Sequence, residues 1–310
     1  MSSLHSSTYK QLCILSQNLH ADSTGFKKVR QDVRFKFWGL MHQKTIKNLL
    51  QTFDNETLSP VLSIHPKIIK KPFKSYICAK WNTQRRVSSV QQHFQFLQHN
   101  FHADALPAIF TAEGYQLAEV TDQEENIYRL FINRGQQREG SLGLSLLDSE
   151  GNRVYATTVN FETTPYRTMY IGVIQGPNEG IENRQQVIKS LTKSCHGLRP
   201  KALILEFALM LARYLNVTHI YGISNQGHIY KSWRYIGRKR SSIVTFDYDA
   251  YWQEYGAIQI DKSFYLVPTQ PERKDLSQLN RNKRKLYTKR YAWLDELEQS
   301  FCQHLTPLIK

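Results

Sequence analysis

Five residues, Gly197-Leu-Arg-Pro-Lys201, carry the sharpest chemical signal in the chain. They stand at the entrance of an apolar helix expected from Pro200 to Leu215. Proline suits the first turn, where the backbone N–H has no intrahelical partner. Free N–H groups and the positive end of the helix dipole favour an anion at such a place. Gly197 lets a ligand or backbone come close, and His196, Arg199 and Lys201 add donors and charge. The ligand class this suits is a small molecule carrying phosphate. The same residues also read as a plain helix entry, with Arg199 paired to a carboxylate. Both readings stand at this point.

His228 is the second position of interest. It follows a strand expected to end at Ser224, and the carboxyl ends of strands in open sheets are common ligand sites. A lone loop histidine also reads as a hydrogen-bonded residue and no more. Cys195 adjoins His196, but adjacent residues do not set a base against a thiol. Cys13, Cys78, Cys195 and Cys302 are scattered without zinc spacing, and no His-Glu-x-x-His pair is present, so reduced thiols and no metal are expected.

The elements that must position these residues follow from periodicity. Val87, Val90, His93, Phe94 and Leu97 share one face of a helix starting near Ser88 or Ser89. Strands are expected over 115–120, 127–132, 142–147, 153–161 and 168–174. Asp148-Ser-Glu-Gly-Asn152 supplies a hairpin turn. A polar helix over 181–192 precedes the Pro200 helix, in which Glu206 and Arg213 are the only charged interruptions between Ala202 and Leu215. A strand over 218–224 completes a strand–helix–strand unit. A short aromatic helix or loop over 225–236, strands at 243–246 and 263–268, and an amphipathic helix from Tyr287 to His304 follow. This order implies an α+β fold: a mostly antiparallel mixed sheet with one βαβ unit, preceded by a helical region. The expected division is 1–110, basic and mainly helical; 111–270, the α+β core; and 271–310, a basic segment with a closing helix.

With 41 Lys and Arg against 26 Asp and Glu, the chain of 310 residues carries a formal charge of +15. Hydrophobic residues make up 41%, enough to exclude a disordered chain. The amino terminus lacks the pattern of a secretory signal, and no apolar run reaches the ~20 residues a bilayer span takes. A cytoplasmic protein is expected, with room for peripheral attachment to the inner membrane. The cations gather in the helical third, including Lys27, Lys28, Arg30, Lys67, Lys70, Lys71, Lys74, Arg85 and Arg86, and over 273–290. These flanks are expected to face an anionic surface. A membrane ranks above nucleic acid, for which neither a known binding fold nor a stacking platform is identifiable.

Four segments resemble the VirK/YbjX family of Gram-negative bacterial proteins, also called DUF535. They are Arg138-Glu-Gly140, Ile171-Gly-Val-Ile-Gln-Gly176, Cys195-His-Gly-Leu-Arg-Pro-Lys201 and Tyr221-Gly-Ile-Ser-Asn-Gln-Gly-His228. The resemblance implies a role connected with virulence, the cell envelope and resistance to antimicrobial peptides, and it brings no agreed reaction. The central part is also similar to the core of GNAT acyltransferases. That similarity implies an acyl-CoA, or another phosphate-containing acyl donor, held by His196, Gly197, Arg199, Lys201 and Asn225. It implies a pocket between strands ending near Ile174 and Ser224, with Gln175 and His228 as substrate contacts. Tyr230 would be the acid, Glu139 or Glu162 the base, and an N–H near Gly172 or Val173 the oxyanion donor. Two positions depart from the GNAT loop pattern, Ser194 and Arg199, and the insert over 176–199 is longer than usual.

Overall fold

The computed structural model of the chain describes residues 24–232 and 246–310, with positions 13, 14, 16, 17 and 19 before them. Residues 243–245 of the expected strand, and Trp233, Tyr235 and Gly237 of the aromatic segment, lie outside the described residues. Helices α1 (Gly25–Met41), α2 (Gln43–Thr52), α3 (Ser59–Ile64), α4 (Thr83–Asn100) and α5 (Ala105–Ile109) come first, with a 3-10 stretch over Pro66–Phe73. Helix α4 begins five residues before the expected Ser88, because the Asn82 side chain accepts from the Arg85 N–H at 2.8 Å and caps it there.

The strands are β1 (Tyr115–Thr121), β2 (Ile127–Asn133), β3 (Leu142–Leu147), β4 (Arg153–Glu162), β5 (Thr168–Gln175), β6 (His219–Ile223), β7 (Ile258–Gln259) and β8 (Phe264–Val267). They form one sheet in the order β1-β2-β3-β4-β5-β6-β8-β7. Strands β1 to β5 are an antiparallel meander, β5 and β6 are parallel, and β8 runs antiparallel to β6 and β7. The β3–β4 turn closes as its composition suggests: Asp148 Oδ1 accepts from the N–H groups of Glu150 and Asn152 at 3.0 and 2.7 Å, and Gly151 takes φ +80°.

Helices α6 (Arg184–Ser194) and α7 (Pro200–Tyr214) make the crossover from β5 to β6, and α8 (Tyr248–Glu254) and α9 (Arg281–Leu305) complete the set. Helix α7 packs across β3, β4 and β5, while α9 covers β1 and α7. Buried residues occupy almost all of α7. Glu206 and Arg213 of α7 face a cavity of about 470 Å³ shared with α9, where Arg213 pairs with Glu298 at 2.8 Å and burial raises the pKa of Glu206.

Alternation along the strands separates two layers. Tyr170 and Tyr221 turn toward Trp81 and Phe264 on one face. Gly222 faces the other way, and a side chain there would run into the ring of Trp252 on α8. Tyr251 of α8 also reaches α7, donating to the Lys201 carbonyl at 2.8 Å. So α7 and α8 cover one face, and the segment around Trp81 covers the other. A single hydrophobic cluster joins both layers, from Phe35 on α1 to Leu308.

The expected closing helix starts earlier than Tyr287, at Arg281, because Asn280 caps it through the Lys283 N–H at 3.0 Å. Much of the basic run is therefore helical. The expectation that the N-terminal cations face outward fails at three residues. Lys71 is 2% exposed. Arg85 grips Glu162 with two bonds of 2.7 and 2.8 Å. Arg86 donates to the carbonyls of Lys74 and Trp81 at 2.6 and 2.9 Å. A lysine or arginine with backbone carbonyls or a carboxylate in reach can be taken inside.

Candidate functional site

The parallel pairing of β5 and β6 stops at Ile171 and Gly222, one residue before β6 ends at Ile223, while β5 runs on to Gln175. Strand β5 also carries an irregularity against β4: Val173 is opposite Thr158, Ile171 is opposite Val159, and Gly172 has no partner in that register. The segment 134–141 between β2 and β3 folds back over this place. A Cβ on residue 172 would overlap the Glu139 carbonyl oxygen, so only glycine lets the loop cross there.

Lys71 pins the crossing loop. Its ammonium donates to the carbonyls of Gly140 at 2.6 Å and of Gln136 and Gln137 at 3.3 Å. Three N–H donors meet three acceptors, which satisfies the group fully. Burial holds the Lys71 pKa down to about 7, against the upward pull of Glu139. The Arg138 carbonyl accepts from the Ile77 N–H at 2.7 Å. Glu139, placed by these contacts, is 5% exposed. Its Oε2 accepts from the Arg138 N–H at 3.1 Å. Burial raises its pKa, and the Arg138 N–H and the Lys71 charge only partly oppose that.

His228 lies at the end of β6, in a loop tied to the facing layer by the bond from the Ala79 N–H to the Gly227 carbonyl, 2.8 Å. Its ring stacks on Tyr248 with centroids 5.3 Å apart, and Tyr230 lies at the same distance. Burial, then the Lys231 charge, lowers its pKa to about 4, so the ring is neutral at pH 7. Nδ1 accepts from the Tyr230 N–H at 3.4 Å, which leaves the proton on Nε2, buried and without a partner among the described residues. The Tyr248 hydroxyl bridges the N–H and carbonyl of Ile174 at 3.3 and 3.4 Å. Burial raises its pKa, and the nearby charges of Glu139 and Tyr230 add to that. Gln175 is opposite Ala156, two residues from Thr158 on the face the loop crosses, and its buried Oε1 has no partner among the described residues.

Of the residues read from the sequence, His228 stacks on Tyr248, Tyr230 packs on His228, the charge of Glu139 reaches Tyr248, and Gln175 adjoins the Ile174 backbone that Tyr248 holds. His196, Gly197, Arg199 and Lys201 form a separate group at the entrance of α7. There Arg199 and Lys201 both pair with Glu254, at 3.2 and 3.6 Å, as the helix-entry reading expects. Arg290 of α9 donates to the His196 carbonyl at 2.9 Å and occupies the space beside Gly197. Helix α8 links the two groups, Tyr248 touching Ile174 and Tyr251 touching Lys201. Asn225 belongs to neither, because it fastens α8: it donates to Asp247 at 2.8 Å and Asp249 at 2.9 Å and accepts from the Tyr248 N–H at 2.8 Å. Glu162 is committed to Arg85. Cys195 is buried, its pKa pushed up to about 12, which suits an inert thiol.

Below this site lies a polar network that sequence reasoning missed. The Tyr76 hydroxyl meets Asn160 Oδ1 at 2.6 Å and Ser141 Oγ at 2.5 Å. Asn160 Nδ2 donates to Ser89 Oγ at 3.0 Å. Strand β3 reaches only as far as Val159 along β4, and beyond it the Phe161 N–H donates to His93 Nδ1 at 3.0 Å. Among the described residues, no three His, Cys, Asp or Glu side chains converge to hold a metal.

A family model described as "Protein of unknown function (DUF535)" matches residues 24–303. The chain is 29% identical over 246 residues to "Uncharacterized protein YbjX" of Escherichia coli (strain K12), covering 78% of this chain and 73% of that one. It is 25% identical over 291 residues to an uncharacterized protein of Haemophilus influenzae, covering 94% of each. It is 28% identical over 192 residues to "Membrane protein LapB" of Mannheimia haemolytica, covering 61% of this chain and 81% of that one. No solved structure matches the chain significantly.

Proposed function

The chain belongs to the DUF535 (VirK/YbjX) family, and from that premise we propose that the cluster at Glu139 and His228 is an acid–base site for acyl or aminoacyl transfer to a surface molecule. The observation that carries this is a buried carboxylate of raised pKa in electrostatic reach of Tyr248, and a neutral histidine stacked on Tyr248 whose Nε2–H has no partner among the described residues, near where the β5–β6 pairing ends. Perturbed groups of this kind in one place are what proton-transfer catalysis needs. In this reading Glu139 takes the proton of the attacking amine or hydroxyl. The Nε2–H of His228 and a β5 N–H at the Gly172 irregularity hold the developing oxyanion. Tyr230 returns a proton to the leaving group.

The GNAT-like reading of the β5–α6–α7–β6 unit is part of the proposal, supported by the parallel pairing that ends beside an irregularity in β5. The donor would be an acyl-CoA or another phosphate-containing acyl donor, which would supply the activated acyl group. His196, Gly197, Arg199 and Lys201 would hold its phosphates once Glu254 releases its two cations. Tyr248 occupies the Ile174 N–H and carbonyl that an extended donor arm would use, so Tyr248 has to leave them on binding. The test is a thermal shift of the full chain against a panel of acyl-CoAs. A saturable shift that weakens at least ~10-fold in Arg199→Ala supports the reading, and no shift with any member overturns it.

A second reading is a basic factor binding an anionic membrane, peripheral on the cytoplasmic side of the inner membrane. It is favoured by the first turns of α9, where Arg281, Lys283, Arg284, Lys285 and Lys289 are all exposed. The name of the Mannheimia relative, "Membrane protein LapB", points the same way. Among the described residues no helix is long and apolar enough to cross a membrane. Each cation near an anionic leaflet contributes about 1 kcal/mol. Co-sedimentation with phosphatidylglycerol vesicles, lost in Lys283→Gln/Lys285→Gln/Lys289→Gln, supports this reading. Binding to RNA with a steep salt slope and not to vesicles replaces it with a nucleic-acid role.

A further inference from the structure

Helix α1 turns six apolar side chains into solvent. Phe26, Val29, Val33, Phe37, Leu40 and Met41 are 81%, 57%, 62%, 60%, 43% and 66% exposed. At about 100° per residue they fall within an arc of roughly 120°. Single exposed apolar residues need no explanation, but a continuous stripe does. The helix is anchored by its opposite side: Phe35 is buried, and the Trp38 ring lies 6.0 Å from that of Phe73. The stripe is therefore a second apolar face on a helix whose first face is already packed.

Charge says what covers it. The helix carries Lys27, Lys28, Arg30, Arg34 and Lys36 against the single acid Asp32, and Asp32 accepts from Ser16 Oγ at 2.8 Å. On the helical wheel Arg34 borders the stripe on one side and Lys36 on the other, and Arg30 lies within it, between Phe37 and Met41. Exposed apolar residues between cations with long aliphatic stems match one surface, the boundary between headgroups and acyl chains of an anionic bilayer. There the rings and methyls sink while the charged heads stay among the phosphates. A protein groove would have to offer acids on both rims of an apolar trough in the same register.

We infer that α1 is an interfacial helix that lies in the plane of an anionic membrane with Phe26, Val29, Val33, Phe37, Leu40 and Met41 embedded. The inference rests on the membrane reading above for the kind of surface, and it is independent of the chemistry at Glu139. It separates two contributions: α9 attracts through charge, and α1 holds through apolar contact.

The experiment uses the full chain with vesicles of phosphatidylglycerol and phosphatidylethanolamine at about 0.15 M salt, where exposed charge is partly screened. Wild type should partition onto them, and Val33→Asp/Phe37→Asp should lose at least ~10-fold in partition. Both sites are exposed, so the melting temperature should hold. Phe37→Trp should be quenched by lipids brominated on their acyl chains. If wild type binds and the aspartate variant binds equally, the α1 inference is wrong while the membrane reading stands. If wild type binds no anionic vesicle, both fail. A wild-type dimer that becomes a monomer in the aspartate variant, without vesicle binding, assigns the stripe to a second copy and overturns the inference. Uncovering of vesicle binding only after removal of residues 1–23 assigns it to that segment and overturns it equally.

Discussion

Three histidines sit neutral in the interior, and they should make the fold steeply sensitive to acid. Burial is the main cause in each: His65 is held down to about 3, His228 to about 4, and His93 well below its ordinary value. In the unfolded chain a histidine takes up its proton near pH 6.5. Between that pH and the folded values, the unfolded state binds protons that the folded state refuses, so stability falls as pH falls. Each group contributes about 1.36 kcal/mol per pH unit, and the three together about 4 kcal/mol per unit below pH 6. By pH 5 the loss reaches about 6 kcal/mol, close to the whole stability of many domains. Glu139 and Glu206, raised by burial, oppose this, because the folded state takes up their protons before the unfolded state does. Asp122 and Asp295, which are lowered, add to the loss only at about pH 4 and below. The assay is urea unfolding followed by circular dichroism from pH 8 to pH 5. Stability should fall gently between pH 8 and 7, where buried Lys71, held down to about 7, resists the proton that the unfolded lysine already carries, and drop steeply below 6.5. His228→Phe keeps a ring on Tyr248 and removes one titrating group, so the slope should fall by about one third. A midpoint that stays level from pH 7 to 5, or an unchanged slope in His228→Phe, would refute the reasoning.

Gly172→Ala should cost at least ~2 kcal/mol, because its Cβ would meet the Glu139 carbonyl. Gly176→Ala, whose nearest neighbour is the Tyr155 ring at 3.7 Å, should stay within about 0.5 kcal/mol by thermal melting. Lys71→Met strips the carbonyls of Gln136, Gln137 and Gly140 of their donor. It should cost roughly 1–3 kcal/mol and speed proteolytic cleavage within 134–141; equal cleavage rates would count against the pinning role. Arg85→Met should destabilise by roughly 3 kcal/mol or somewhat less, since Glu162 is left buried without its cation while Arg85 itself is partly exposed. Adding Glu162→Met should recover part of that in a double-mutant cycle.

The meander was legible because β1 to β5 alternate or run apolar between turn residues, and α7 because its apolar run opens on a proline. The start of α9 was not, because its first turns are cationic and carry no apolar stripe; Asn280 was the available signal. Glu139, Gln175 and His228 lie in or beside the motifs that carry the family resemblance, which is why the sequence singles them out. Tyr248 does not, and only the cap Asp247 ahead of a run of aromatic residues hints at a packed helix. Lys71 was counted as surface charge. Its neighbours Ile68, Ile69, Pro72 and Phe73 were the sign that the stretch is inside, but which carbonyls would receive the ammonium depends on a loop some 65 residues away.

The bond from Phe161 to His93 has a consequence for strand pairing. Where β3 runs out, α4 supplies the next acceptor that β4 needs. That side chain works as a stop for the ladder, since β3 cannot slide two residues further along β4 without evicting His93. The loop over 134–141 leads directly into β3, so the stop also sets where Glu139 comes to rest over Gly172. An imidazole on a helix thereby calibrates the position of the carboxylate to within one step of the sheet.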